Sequence, residues 1–296
     1  MARPGSTNDT TPEIRHVLAP NASAMTATGT NCWIVGSGKV AVIDPGPDHA
    51  AHLTALLAAL RPGEAVSHIF VTHSHLDHSG GAARLSAMTG APVLAFGRSG
   101  AGQSDRMRGL VAEGLTGGGE GVDAGFRPDH MLADGETVAG GDWSLAALHC
   151  PGHFGNHLCF LAGEIAFTGD HVMGWSTSLV SPPDGDMTDY LASLDRLSGA
   201  GAATGYPGHG PVIGDLPARI ADLAAHRRLR EAGVLAQLAA GPADAQAIAA
   251  ALYIDTTAAM MPAAARNILA HLIDLQGRNR VACEGPISLT ARFRRL

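Results

Sequence analysis

"THSHLDHSGG", residues 72–81, places three histidines and an aspartate within six consecutive positions, His73, His75, Asp77 and His78. The stretch follows "AVSHIFV", residues 65–71, a β-rich run that reads as a buried strand. Imidazoles and carboxylates are costly to bury without partners, so the cluster is poor packing material. In an extended segment, residues two apart point the same way, which lets His73 and His75 address one ion. After a turn, Asp77 and His78 can address a second. Imidazole nitrogen and carboxylate oxygen suit zinc, and also iron or manganese.

If the cluster binds metal, further ligands are expected at other strand ends. "CPGHFGNH" (150–157) supplies His153, "FTGDH" (167–171) supplies Asp170 and "YPGHGP" (206–211) supplies His209. Each lies in a glycine-containing loop where the backbone can turn sharply. Five histidines and two aspartates form an inventory for two ions.

The strands and helices needed to carry these loops are readable. "NCWIVGSGKVAVIDPG" (31–46) is a hairpin about Gly36-Ser37-Gly38. Asp48 is the expected cap of a helix carrying Leu53, Leu56, Leu57 and Leu60. A strand over 66–72, a short helix over 82–88 and a strand "APVLAF" follow. Residues 97–125 are glycine-rich and weakly patterned. They read as a mobile insertion, with a helix near 105–113, that lines a cleft. "ETVAG", "WSLAALHC", "HLCFLAG" and "EIAFTGD" are short strands, and 187–197 is an amphipathic helix through Met187, Leu191, Leu194 and Leu197. After Asp215 strand signals nearly vanish. A long helix runs to Leu238, with Pro217 in its first turn. Helices over 243–252 and 257–276 follow, then a hairpin turning at Glu284-Gly285. Two domains are expected, 1–215 and 216–296, the second winged-helix-like.

The order THSHLDH, PGH, TGD, GHG resembles the metallo-β-lactamase fold superfamily over roughly residues 14–215. The resemblance implies an α/β fold, a four-layer αβ/βα sandwich with two divalent ions at one edge of its sheets. It implies that His73, His75 and His153 hold the first ion, that Asp77, His78 and His209 hold the second, and that Asp170 bridges them. "GHGPVI", "HRRLRE" and "ARNILAHLIDLQGRNRV" resemble the β-lactamase-like protein 2 family, whose C-terminal domain is winged-helix-like. "TGDHVMGWSTSLVSPPDGDM" resembles that family's bacterial relatives, described as metal-dependent hydrolases. Phe154 departs from the commoner "PGHT" form and would narrow the pocket.

Two ions about 3.5–4 Å apart can share a hydroxide and polarise a carbonyl or phosphoryl oxygen. The expected activity is hydrolysis of an ester, thioester, lactone or β-lactam, with zinc as the expected metal and a small-molecule substrate. Asp77 is a candidate for moving the proton, and His157 for reaching the substrate or supporting the ligands. The alternatives are a single-strand-specific endoribonuclease and an iron-dependent thiol dioxygenase. His75 argues for hydrolysis, since flavodiiron-type relatives usually carry glutamate there. The other histidines are assigned to packing or surface: His149 and His171 near the site, and His16, His49, His52, His68, His130, His226 and His271 elsewhere. Cys150, Cys159 and Tyr190 are likewise packing. Trp175 either faces the substrate or belongs to a plain crossover.

Composition limits the rest. The 296 residues are 46% hydrophobic and 16% charged, with net charge −7. Lys39 is the only lysine, which excludes Schiff-base chemistry and a Walker-type phosphate loop. Four cysteines form no C-x-x-C pair. No apolar run suggests a signal peptide or membrane span, so a loose N-terminal tail and a cytoplasmic location are expected. Charge is uneven. Ten basic and 21 acidic residues precede Leu216, whereas ten basic and six acidic follow. That basic tail is what offers RNA a binding surface.

Overall fold

The computed structural model describes residues 12–117 and 121–296. The first sheet has six strands in the order β1 (Ile14–Leu18), β2 (Asn31–Val35), β3 (Lys39–Ile43), β4 (Ala65–Phe70), β5 (Val93–Ala95) and β6 (His130–Met131). The second runs β11 (Thr204–Pro207), β10 (Ile165–Gly169), β9 (Leu158–Ala162), β8 (Trp143–His149) and β7 (Thr137–Gly140). Their inner faces share one aromatic-rich core, with Trp33, Phe70, Trp143, Phe160 and Phe167.

Helices cover both outer faces. α1 (Ala50–Ala58) and α3 (Ala82–Thr89) bring Leu53, Leu56 and Leu85 onto the first sheet. Between them lies α2 (Leu76–Ser79). α5 (Met187–Ser198) and the first half of α6 (Leu216–Ala240) cover the second sheet through Tyr190, Leu194, Ile220 and Leu223. The result is the expected αβ/βα sandwich. Strands buried on both faces lose their polar alternation, which is why "NCWIV" and "IAFTG" are buried throughout.

The β2–β3 hairpin pairs Trp33 with Ile43 and Val35 with Ala41. Gly36 turns it at φ 87°, and a Cβ there would lie 2.3 Å from Trp143, so that position admits only glycine. The helix expected to start at Asp48 is instead capped by His49, whose Nδ1 accepts from the His52 amide at 3.2 Å. Asp48 pairs with Arg84 at 2.8 Å.

A separate core joins the second half of α6, α7 (Ala245–Leu252), α8 (Met261–Gly277) and the hairpin β12 (Val281–Glu284) and β13 (Arg292–Arg295). Asp215 caps α6 by accepting from the Ala218 amide. The long helix thus lies against the sheet with its first half and anchors the C-terminal core with its second.

The insertion holds the helix expected near 105–113, but that helix is packed where mobility is expected. Within it, α4 (Asp105–Ala112) is capped by Ser104 and buries Met107 and Leu110 in the C-terminal core, with Leu115 beside them. Residues 118–120 and 1–11 lie outside the described residues, and 14–16, expected to end a loose tail over 1–16, instead pair with β2 as part of β1. The sequence gives α4 too few apolar positions to show its partner, because that partner lies more than a hundred residues away. Two short strands, β1 and β6, carry no clear signal. Among the described residues no helix is long and apolar enough to cross a membrane.

Candidate metal centre

The strand ends deliver all seven expected ligands to one place. His73 and His75 follow β4, the first in a bend and the second in extended backbone, and the chain then coils into α2, which carries Asp77 and His78. His153 follows β8, Asp170 follows β10 and His209 follows β11. Close approach requires a missing side chain: a Cβ on Gly208 would lie 2.5 Å from Asp170 Oδ1 and 2.6 Å from His78.

Two sub-clusters result. His73 Nε2 lies 2.8 Å from His75 Nδ1, which lies 3.1 Å from His153 Nε2. His78 Nε2 is 3.2 Å from His209 Nε2, and Asp77 Oδ2 is 3.5 Å from the first and 3.2 Å from the second. Asp170 stands between, with Oδ1 3.4 Å from His78 and Oδ2 3.4 Å from His209 and 3.8 Å from His153. Three overlapping groups have the spacing of a metal site: His73, His75 and His153; His73, His78 and Asp170; and Asp77, His78 and His209.

The far side of each ring explains the aim of the near side. His78 Nδ1 donates to Asp44 Oδ2 at 2.9 Å, His153 Nδ1 to the Leu179 carbonyl at 2.6 Å and His209 Nδ1 to the Gly29 carbonyl at 3.1 Å. With Nδ1 committed as a donor, Nε2 is the nitrogen turned to the centre, and it offers a lone pair there when the ring is neutral. Asp44 also accepts from the Thr72 amide and hydroxyl at 2.7 and 2.8 Å. Its φ of 51° lies in the left-handed region. The sequence reading missed Asp44, although it ends β3 before Pro45-Gly46, much as the other ligands end their strands.

Charge divides the cluster. Burial, then the neighbouring imidazoles, holds His73 well below the ordinary histidine range, and the same causes bring His75 to about 3. Burial opposes the charged form of His209, but Asp170 and Asp77 outweigh it and raise the ring to about 10. Burial also pushes the Asp77 carboxyl up, yet His78 and His209 prevail and hold it at about 2. His73, His75 and His153 are thus held neutral with ring nitrogens turned toward one another, and Asp170 Oδ1 is buried without a hydrogen-bond partner among the described residues. Converging lone pairs and an orphaned carboxylate oxygen fit divalent cations.

His157 sits differently from the substrate-facing alternative. It is fully buried, stacks on His73 at 5.0 Å and accepts from the Asp170 amide at 3.2 Å. It is absent from the wall of the cavity over the cluster, so its contacts are with the ligands. His171 is buried with its ring 5.0 Å from that of Tyr190, whose hydroxyl donates to the His171 carbonyl. His149 lies flat on Phe96, and Cys150 and Cys159 are buried.

Above the cluster is a cavity of about 610 Å³. His75, Asp77, His153, Asp170 and His209 form its floor, and Met25, Leu76, Trp175, Leu179, Tyr253 and Met260 supply its apolar wall. Trp175 thus faces the cavity. Of the insertion, Gly121 and Val122 reach the wall.

The family description "Metallo-beta-lactamase superfamily" matches residues 25–209, which contain all seven residues. The chain belongs to the metallo-β-lactamase superfamily. "Beta-lactamase associated winged helix domain" matches residues 245–286. A lactamase-like protein of Neosartorya fischeri is 34% identical over 226 residues, 75% of this chain and 60% of that protein. An atrochrysone carboxyl ACP thioesterase of Paecilomyces divaricatus is 34% identical over 231 residues, 77% of this chain and 65% of that protein. The chain therefore spans under two thirds of the length of either relative. A metallo-β-lactamase family protein from Thermus thermophilus superposes with a TM-score of 0.75 at 24% identity, over 96% of this chain and 98% of that one. That likeness shows that the superfamily sandwich and the C-terminal helices occur together in one fold.

Proposed function

We propose that this superfamily member is a dinuclear metal-dependent hydrolase that cleaves a thioester, or a related ester, of a bulky and largely apolar acyl group. The observation that carries this reading is the cavity wall. Among the described residues no lysine or arginine lines it, and Met25, Leu76 and Trp175 on it are among the exposed large apolar side chains. An apolar pocket with a few convergent polar groups suits a small acyl ligand. A relative named as an ACP thioesterase supports the thioester as the bond cleaved.

His73, His75 and His153 would hold one divalent ion, Asp77, His78 and His209 the other, and Asp170 both. Zinc is the first choice. Bound there, such ions supply Lewis acidity to a carbonyl and to a water. The chain's own residues do the rest. Asp77 opens on the cavity floor, with 27% of its side chain exposed, and can accept a hydrogen bond from the attacking water. Met25, Leu76, Trp175 and Met260 exclude bulk water from the acyl group and orient it over the floor.

The endoribonuclease alternative has weaker support. Arg227 is buried, Arg230 lies 4.0 Å over the Tyr253 ring, and Arg278 pairs with Glu231 and Asp274. The basic tail is thus partly consumed inside the domain. The deciding experiment is a hydrolysis panel on the zinc-loaded protein: aryl and long-chain acyl thioesters, lactones, β-lactams, phosphodiesters and single-stranded RNA. Turnover of the apolar thioesters is expected. Turnover of RNA alone would replace this reading with the ribonuclease one, and oxygen uptake with an iron-loaded sample would replace it with the dioxygenase.

A further inference from the structure

The C-terminal helices reach the ligand cluster through a single backbone carbonyl. Leu179 O accepts from His153 Nδ1 at 2.6 Å. The residues on either side of Leu179 are tied to α6 and α8. The Val180 amide donates to Asn267 Oδ1 at 3.0 Å, and the Arg227 guanidinium donates to the Ser178 carbonyl. Arg227 Nη1 also reaches Asn267 Oδ1 at 3.4 Å. Two N–H groups converge on one atom of the Asn267 amide, which fixes that atom as oxygen.

Arg227 is 1% exposed, and its guanidinium carbon lies 5.1 Å from the centre of the Tyr190 ring. It ends on a carbonyl and an amide, and no carboxylate among the described residues forms an ion pair with it. A buried guanidinium is costly, and this one is compensated by binding backbone rather than by a counter-charge. Such an arrangement stabilises a particular loop position more than it stabilises the core.

We propose that Arg227 and Asn267 are positioning residues for the metal centre: they fix the Leu179 carbonyl, and that carbonyl fixes the tautomer and aim of His153. A carbonyl can only accept, so His153 must carry its proton on Nδ1 and present Nε2 to His75 and Asp170. The C-terminal domain is then a working part of the site, beyond its contribution to the cavity wall. The inference rests on the reading of His153 as a metal ligand.

The test is a Co2+ titration of the chelator-stripped, full-length protein, followed by visible absorption. Wild type is expected to take up two equivalents. Asn267→Leu removes the acceptor at similar volume. It is expected to weaken one equivalent by ~10–100-fold, the usual loss for a residue behind a metal ligand, and to leave the other unchanged. Asn267→Asp keeps the acceptor and should bind like wild type. Unchanged affinities in folded Asn267→Leu, or an equal loss in Asn267→Asp, overturn the proposal. If Asn267→Leu does not fold, Arg227→Gln decides: weakening of the same single equivalent supports the proposal, and wild-type binding overturns it. A wild-type protein that takes up no Co2+ overturns the ligand assignment itself, a separate result that no variant is needed to see.

Discussion

Asp44 has no histidine beside it in sequence, yet it orients two of the seven candidate ligands. Its carboxylate receives His78 Nδ1, the Thr72 amide and the Thr72 hydroxyl, and Thr72 Oγ1 lies 3.0 Å from His73 Nδ1. One buried group thus orients a residue from each sub-cluster. Asp44→Ala removes the partner of His78 and leaves buried donors unpaired. It is expected to lower metal affinity by ~10–100-fold, read by competition with a chromophoric chelator. Asp170 has the opposite character, with an oxygen that no donor among the described residues satisfies. Asp170→Ala and His75→Ala should each abolish any hydrolysis the panel detects. Wild-type turnover by a folded Asp170→Ala protein would falsify the bridged two-ion scheme.

Secondary-structure elements differ in how openly the sequence states their partners. The candidate metal loops were legible because each lies in the connection that follows a strand, and strand ends need only local pattern to be found. The β2–β3 hairpin and α5 were legible for the same reason. Asp44, Leu179 and Asn267 were not, because their roles depend on contacts across the fold: Asn267 meets Val180 87 positions away. α4 is the clearest case, a short helix whose Met107 and Leu110 have value only once the C-terminal core exists. Leu110→Ala should therefore destabilise the protein by about 2–5 kcal/mol in urea unfolding, although a solvent-facing segment would lose almost nothing. Trp175 tests the cavity at the same scale. Trp175→Ala is expected to raise KM for bulky aryl thioesters far more than for acetyl thioesters, with kcat little changed. Equal effects on both would show that Trp175 does not bind the acyl group.

At the scale of the whole molecule, α6 and α8 join the sandwich to the C-terminal core, and the response to acid reports on that junction away from the candidate ligands. His271 on α8 is 1% exposed, and neither ring nitrogen has a hydrogen-bond partner among the described residues. It faces Arg227, Arg230, His226 and Arg278, and burial followed by these charges lowers it to about 3. The unfolded chain binds a proton at that ring near pH ~6.5, whereas the folded one resists until about 3. Its contribution is therefore fully present above the unfolded value and is lost as pH falls toward the folded one. Asp189 works against it: burial and Asp186 raise that carboxyl to about 6, so its contribution is present in acid and lost as pH rises through that value. His171 is also lowered to about 3, so the wild-type profile alone cannot isolate His271. The difference between wild type and His271→Leu can. Urea unfolding of chelator-free protein at pH about 7 and about 5 should show the variant losing about 2 kcal/mol less than wild type over that interval, from 1.36 kcal/mol per pH unit below pH ~6.5. Parallel losses in the two proteins would mean that His271 takes up its proton equally in both states, and that the arginine-lined layer between α6 and α8 does not hold it neutral.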